Sequence, residues 1–249
     1  MRTILVGLSF LAAASAAPVL AQDTAAPASA FTITGGATLT SDYRFRGISQ
    51  TNKRFALQGT LGVSHSSGFY VGTWGSSIDD YVANGSDQEI DLYAGYKKTF
   101  SGTTVDGGVL YYYYPGSGGI NSDFFEPYLN VSHTFGPIGA KVGVNAAWKQ
   151  HALSYGAGSK ESGFYGYGEL SAAIPTTGIT LTGHLGRSFA KNYITFGEKY
   201  TDYSVTAAYT WKNLTVSAAY VDTNKRFLSA GPVRNVGKSG FVGAVGVAF

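Results

Sequence analysis

The sequence predicts an all-β protein: a transmembrane antiparallel up-and-down β-barrel of about twelve strands. Three observations carry this. Apolar and polar residues alternate with period two in one segment after another from residue 31 onward, which is the strand signal. Short and longer connections take turns between those segments, as in a meander with tight turns at one end. Charged residues make up only 13% of the chain and aromatic residues 14%, with 34 Gly among 249 residues. Polarity therefore comes from Gly, Ser, Thr, Asn and Tyr rather than from charge. That balance excludes a disordered chain, which has many charges and few aromatics. It argues against a helical enzyme too, because glycine and β-branched residues are poor helix formers. The absence of cysteine excludes a disulfide framework, a cysteine zinc site and a thiol nucleophile. A formal charge of +3 is too small and too dispersed for nucleic acid binding.

Residues 1–21 carry Arg2, an apolar run from Ile4 to about Ala14, and the small-x-small tripeptide Val19-Leu20-Ala21. This pattern predicts a secretory signal peptide. The run is too short to serve as a bilayer-spanning helix, which takes about 20 residues. The mature chain is expected to start near Gln22, with 22–30 as a flexible lead-in. The barrel domain then occupies 31–249. Its strands are expected at 31–48, 54–65, 68–78, 88–99, 104–114, 124–135, 138–151, 163–174, 178–190, 199–211, 213–223 and 238–249. The alternation is clearest from Phe55 to Val63, from Ile138 to Ala146 and from Ile179 to Leu185. Short connections fall at 65–68, 101–103, 136–137, 175–178 and 212–213. Longer ones fall at 49–53, 79–87, 115–123, 152–162, 191–198 and 224–237. An even strand number puts both termini beside the short turns, the periplasmic side of a bacterial outer-membrane barrel.

Alternation alone does not say which face is apolar. A soluble lipid-binding barrel keeps it inside; a membrane barrel turns it outside. Twelve strands enclose a lumen too wide for Thr, Ser and Gly to fill, so the polar face belongs inside. Aromatic residues crowd the strand ends as interfacial girdles do: Tyr43 and Phe45, Phe69 and Tyr70, Tyr111 to Tyr114, Phe124 and Phe125, Phe164 and Tyr165, Tyr209 and Trp211. The last strand ends on Phe249, in phase with Val247, Val245 and Phe241, and this terminal Phe resembles the assembly signal of bacterial outer-membrane proteins. Charges within the strands should avoid the lipid face, where Lys or Arg costs about 2–4 kcal/mol at mid-bilayer. They do: Asp42, Arg44, Arg46, Glu89, Asp91, Lys97, Asp106, Glu126, Lys141, Lys149 and Glu169 all fall opposite the apolar phase. Arg187 breaks the rule, so either its side chain snorkels to the headgroups or a bulge shifts the register. In 68–78, Tyr70 and Trp74 compete with Phe69 and Val71 for the outside.

The stretch Thr40-Ser41-Asp42-Tyr43-Arg44-Phe45-Arg46-Gly47-Ile48-Ser49-Gln50 resembles the N-terminal signature of the TorF-family porins, the Gcw_chp family. Ala56-Leu57-Gln58-Gly59, the segment from Ser66 to Ser76, and the strand from Glu89 to Tyr96 fit as well. The specific match covers residues 38 to 96; beyond it the match is periodic pattern. The resemblance implies a barrel in the outer membrane of Gram-negative bacteria and no particular solute.

The row Asp42, Arg44 and Arg46 would face the lumen near its outer end. With Glu89, Asp91 and Glu126 it would form an electrostatic constriction favouring small polar solutes; the alternative is mutual neutralisation inside a closed barrel. Lys141, Lys149 and Glu169 complete the lumen candidates. Asp79, Asp80 and Asp87 could hold a divalent cation, but their spacing lacks an EF-hand pattern, which favours a solvated loop. Lys225, Arg226, Arg234 and Lys238 could meet lipopolysaccharide or merely keep a loop soluble. A rival class, an outer-membrane lipid hydrolase or protease, needs a Ser–His pair with an orienting partner. The histidines are His65, His133, His151 and His184, and His151 near Ser154 is the best pair, without a nucleophile motif. A third class is a closed structural or adhesive barrel. Diffusion through a pore needs no cofactor and no metal. The expected partners are outer-membrane lipids, lipopolysaccharide, the barrel assembly machinery and small polar solutes, with no interface signal that sets an oligomeric state.

Overall fold

The computed structural model describes residues 29–156, 158–229 and 234–249. The expected signal peptide at 1–21 and nearly all of the lead-in at 22–30 lie outside the described residues. Twelve strands form a closed barrel in which every neighbour is antiparallel and, apart from the closing pair, consecutive barrel strands lie side by side. They are β1 Phe31–Thr40, β4 Ala56–His65, β5 Phe69–Ser77, β6 Gln88–Phe100, β7 Thr103–Tyr113, β8 Phe124–Phe135, β9 Ile138–Gln150, β10 Glu161–Ile174, β11 Ile179–Ser188, β12 Tyr200–Trp211, β13 Leu214–Thr223 and β14 Gly240–Ala248. Two short strands, β2 Arg44–Phe45 and β3 Ile48–Ser49, pair only with each other. β1 closes the barrel by pairing with β4 on one side and β14 on the other.

Eleven of the twelve expected strands end within two residues of the observed ones. The first does not. Expected at 31–48, it stops at Thr40, and the wall resumes at Ala56, directly opposite Thr40. Residues 41–55 fold into the barrel instead. The cause is local: Arg46 and Gly47 both adopt positive φ, 48° and 80°. Two such residues in succession make the tight two-residue hairpin turn, with Phe45 and Ile48 paired across it. A side chain at Gly47 would also strike Thr223 and Asp202. The alternation of Asp42, Tyr43, Arg44, Phe45 and Arg46 is thus that of a hairpin inside the lumen, not of the wall.

Burial follows the pleat. In β9 the pattern alternates residue by residue, with Lys141 and Asn145 buried and Val142 and Val144 exposed. Outside lie Ile33, Leu57, Val71, Leu92, Leu129, Leu170, Val205 and Phe241, all among the exposed large apolar residues. Inside lie Gln58, Trp74, Glu89, Asp91, Glu126, Asn130 and Asp202, all buried. A closed barrel with an apolar exterior and a polar interior is stable only with lipid around it. Tyr70 and Trp74 point inward and Phe69 and Val71 outward, which settles the ambiguous strand.

Some of the aromatic residues expected at the strand ends face outward. Tyr113, Tyr209, Trp211 and Phe249 are exposed, and Tyr111 stacks on Tyr113 outside the wall. Tyr43 and Phe45 are not girdle residues: they are buried at 4% and 6% exposure, because the chain leaves the wall at Thr40. Tyr70, Tyr112, Tyr114, Phe124 and Tyr165 are buried too, turned to the interior face. Arg187 faces outward in an unbroken register between Gly166 and Thr201. No bulge moves it; its guanidinium donates to Thr201 and lies 5.7 Å from the Phe189 ring centre. Lys149 is likewise misplaced as a lumen residue. The register between β9 and β10 shifts where Gln150 faces Glu161 and Ala147 faces Gly163, and Lys149 sits exposed at that bulge.

The outward and inward faces predict opposite responses to charge. Val205→Arg, mid-strand and facing lipid, should cost about 2–4 kcal/mol of folding free energy in bilayers. Ser204→Arg, its inward neighbour, should cost under about 1 kcal/mol in the same chemical-unfolding experiment.

Candidate constriction and lumen

Hydrogen bonds hold residues 41–55 to one another, to the outer loops and to the wall. Asp42 accepts from Arg44 Nε at 2.6 Å and from Ser49 Oγ at 2.6 Å. Arg44 also donates to the carbonyls of Val236 and Lys238, tying the inward hairpin to the last outer loop. The Ser49 amide donates to Val236 O and the Asp79 amide to Gln50 O. Tyr200 reaches up from β12 and donates to the carbonyl of Arg46 at 3.0 Å.

Arg46 stands at the centre. Its guanidinium meets Glu126 of β8 at 2.7 Å, both side chains almost wholly buried. It also lies 4.3 Å from the Tyr165 ring centre and 4.7 Å from that of Phe45. Tyr112 and Asn145 donate to the same Glu126 oxygen, at 3.2 and 3.1 Å. A charge pair removed from water holds only with such extra donors, because desolvation otherwise outweighs attraction. Beside it, Tyr43 donates to Glu89 at 2.9 Å and Tyr114 to the other oxygen at 3.4 Å. Tyr43 packs edge-on to Trp74, and Phe45 edge-on to Tyr112. The inward hairpin thus brings together Asp42, Arg44, Arg46, Glu89 and Glu126, with Asp91 buried on the same face of β6.

Below this layer a polar belt crosses neighbouring strands. Lys141 of β9 lies 3.9 Å from Glu169 of β10. His184 of β11 holds Glu169 at Nδ1 and Asp202 of β12 at Nε2, both at 3.1 Å. The Tyr165 hydroxyl lies 3.0 Å from His184 Nε2 and donates to Asp202 at 3.1 Å. Tyr70 bonds Asp106 and Tyr128, and Tyr167 donates to Asn130 at 2.8 Å. Lys141 and His184 alternate with Glu169 and Asp202 along this belt, whereas Asp106 is held by a tyrosine hydroxyl. Sequence reasoning placed Lys141 and Glu169 in the lumen and named His184, but passed over Asp202. The signal was present: Asp202 alternates with the outward Tyr203 and Val205.

A cavity of about 510 Å³ runs from the hairpin to the short turn at Gly136 and Pro137. One side is the belt; the other is neutral, with Thr38, Gln58, Thr60, Thr206 and Ser217. Above the hairpin a second cavity of about 210 Å³ lies among the outer loops. In those loops Asp79 pairs with Arg54. The neighbouring Asp80 carboxyl is raised above its ordinary value, chiefly by its hydrogen bond to Asp79. Among the described residues no group of three acidic or histidine side chains could hold a metal ion. His151 is exposed on a single 3₁₀ turn, joined to Ser154 by a backbone hydrogen bond alone. Lys225 pairs with Glu198 at 3.5 Å.

Fold and lumen together define a membrane-spanning β-barrel with a narrowed polar interior. The family described as "Bacterial protein of unknown function (Gcw_chp)" matches residues 24–249, and the chain belongs to it. No curated protein matches. Among solved structures, the NanC porin is similar with a TM-score of 0.59 and 14% identity, covering 88% of this chain and 99% of that one. The KdgM porin is similar at 0.56 and 12%, covering 88% and 98%. The COG4313 outer membrane channel from Pseudomonas putida F1 is similar at 0.51 and 12%, covering 90% and 99%.

The buried pair gives a thermodynamic signature. Glu126→Ala strands Arg46 in the interior and should cost about 3–5 kcal/mol. Replacing both partners, Arg46→Met with Glu126→Met, should bring stability back to within about 1 kcal/mol of the parent in a double-mutant cycle.

Proposed function

We propose that the protein is an outer-membrane porin-like channel for passive diffusion of small hydrophilic solutes or ions. The observation that carries this is a cavity of about 510 Å³ inside a lipid-facing barrel, capped by the hairpin at 41–55 and lined by small apolar side chains together with the charged belt of Lys141, Glu169, His184 and Asp202. A lumen of that size with charged groups on its wall holds water and small solutes, and selectivity then comes from width and lining charge. The similar porin and channel folds support the reading. The start of β1 and the end of β14 lie beside the short turns, the side that faces the periplasm in this reading, and the signal peptide is cleaved near Gln22. The outer loops face lipopolysaccharide, and Phe249, whose backbone pairs with Gly35 of β1, serves as the end the assembly machinery reads. Diffusion needs no catalytic residue; the Ser67 hydroxyl lies 2.7 Å from His65 Nδ1 on an exposed turn, and among the described residues no carboxylate orients that ring.

In this reading Asp42, Arg44, Arg46, Glu89, Asp91 and Glu126 form the constriction. Lys141 and Glu169, with His184 and Asp202, line the passage below. A second reading, a closed barrel, draws on the buried Arg46–Glu126 contact with its added donors Tyr112 and Asn145, which fills the outer half of the lumen.

Refolded protein in a planar bilayer decides between them. A channel gives discrete conductance steps, and Arg46→Ala should raise their size at least about 2-fold by loosening the constriction. An Arg44→Ala, Arg46→Ala double variant should also move the anion-to-cation preference; unchanged selectivity would remove the charge role assigned to this row. A folded but silent parent protein supports the closed barrel. Deleting Phe249 should lower outer-membrane yield while leaving secretion of the chain intact.

A further inference from the structure

The wall is not level at its outer rim. β1 ends at Thr40, opposite Ala244 of β14 and Ala56 of β4. β14 carries on from Gly243 to Gly240, about 13 Å of strand, and there β13 is its only strand neighbour among the described residues. Ser41 serves Gly243 with two hydrogen bonds, and the chain then turns into the lumen. A notch is left between β14 and β4. Beneath it Val245, Leu39 and Leu57 stand directly opposite one another across β14, β1 and β4, all exposed on the outward face. Phe241 of β14 and Phe55, just before β4, are exposed above them.

Cations gather at the same place. The Arg44 guanidinium lies where β1 would have continued: a side-chain carbon at Gly240 would stand 3.4 Å from it. Arg44 is already taken by Asp42. Lys53 comes from the returning arm of the hairpin, its amide bonded to Ser49, whose own amide bonds Val236 of the last loop. The Lys53 ammonium is held below the ordinary lysine value, first by partial burial and next by Arg44, with Lys238 and Arg234 adding to the effect and Asp42 opposing it. Lys53, Arg234 and Lys238 are exposed, and among the described residues none of them makes an ion pair. The carboxylates of the adjoining segments are occupied, Glu198 by Lys225 and Asp222 by the Tyr203 hydroxyl. Like charges held together on the surface attract an anion, and phosphate accepts several charge-assisted hydrogen bonds at once. A soluble anion would have no use for the apolar strip below; a lipid uses both.

We infer that this notch docks the phosphorylated glycolipid of the outer leaflet, its phosphate on Lys53, Arg234 and Lys238 and its acyl chains along Leu39, Leu57 and Phe241. At headgroup depth its polar groups also serve the edge of β14, which hydrocarbon could not. The inference rests on the reading that the longer loops face outward in the outer membrane, and it names the lipid contact of that face.

Native mass spectrometry of the refolded chain in detergent tests it, with diphosphoryl lipid A against phosphatidylethanolamine of matched acyl length. Lipid A should bind at least about 10-fold more tightly. Lys53→Gln combined with Arg234→Gln and Lys238→Gln should weaken lipid A about 10-fold and leave phosphatidylethanolamine alone. These side chains are exposed, so the variant keeps the barrel. Lys98→Gln with Lys212→Gln, at the short-turn end, should change neither lipid. Equal affinity for the two lipids would overturn the inference. So would an equal loss in the short-turn variant, which means diffuse attraction to net charge. Full displacement of lipid A by equimolar inorganic pyrophosphate would overturn it too, in favour of a site for soluble anions. Conductance of the same preparation separates this site from the channel: steps without lipid A preference remove the lipid site alone, and lipid A preference in a silent barrel removes the channel alone.

Discussion

Everything in this molecule depends on closure of the wall. Lipid offers no hydrogen bonds to the backbone, so a sheet crossing a membrane must leave no edge unpaired. β1 meets that demand by bonding β14 and β4 at once, and the last residue completes it: Gly35 and Phe249 exchange two backbone hydrogen bonds of 2.9 Å. The Phe249 ring lies over Gly35, where a side chain would collide with it. Once the wall is closed, the pleat has only two destinations, and the period of two sorts every side chain into lipid or lumen.

That sorting creates the second constraint. Charges barred from the lipid face accumulate in a confined interior, where each must find an opposite charge or several donors. The belt solves this laterally. Lys141, Glu169, His184 and Asp202 come from four adjacent strands: register sets the first three directly opposite one another, and Asp202 meets His184 on the diagonal, two residues along β12. The constriction solves it by reaching across. The wall supplies Glu89, Asp91 and Glu126, and the hairpin delivers Arg46 to Glu126 and Tyr43 to Glu89. Inward tyrosines complete the packing by lying on glycines of the next strand, Tyr165 on Gly186 and Tyr128 on Gly108, which accounts for part of the glycine content of a wall that would otherwise prefer bulkier residues.

Strand number, face and connection pattern were legible because each follows from period two along one stretch of chain. The failures share a physical cause: the same period can arise elsewhere, or lapse for one residue. Tyr43, Phe45, Arg44 and Arg46 alternate as wall residues would, and only the positive φ of Arg46 and Gly47 turns them into a lumen hairpin. The Arg-Gly pair was the available cue, since a two-residue turn with positive φ at both positions favours glycine at its second. Lys149 was misplaced by a bulge, which no alternation reveals. The partnerships in the belt were out of reach for a different reason. Which residue of β11 faces which residue of β10 is a property of register between strands, so His184 could be read as inward but not as held between two carboxylates.

The hairpin also explains why the barrel is asymmetric in cross-section. It is anchored through Arg44 to the last loop and through Arg46 to β8, and its turn packs against β12 and β13 at Asp202 and Thr223. It therefore spans the lumen instead of lining it, and its aromatic side chains face β5 to β8, where Trp74, Tyr112, Tyr114 and Phe124 meet them. The outer half on that side becomes a packed core. The space that remains lies toward β9 to β14 and β1, where the wall residues are small: Ser171, Thr182, Thr206, Ser217 and Ala219. Large residues where the hairpin docks and small ones opposite are two halves of one arrangement. Enlarging the small set would fill the passage and leave the core intact, whereas trimming the large set would release the hairpin and leave the passage wide. The width of the lumen is thus held by the contact between a fifteen-residue-scale excursion of the chain, residues 41–55, and one half of the wall, and not by the strand number alone.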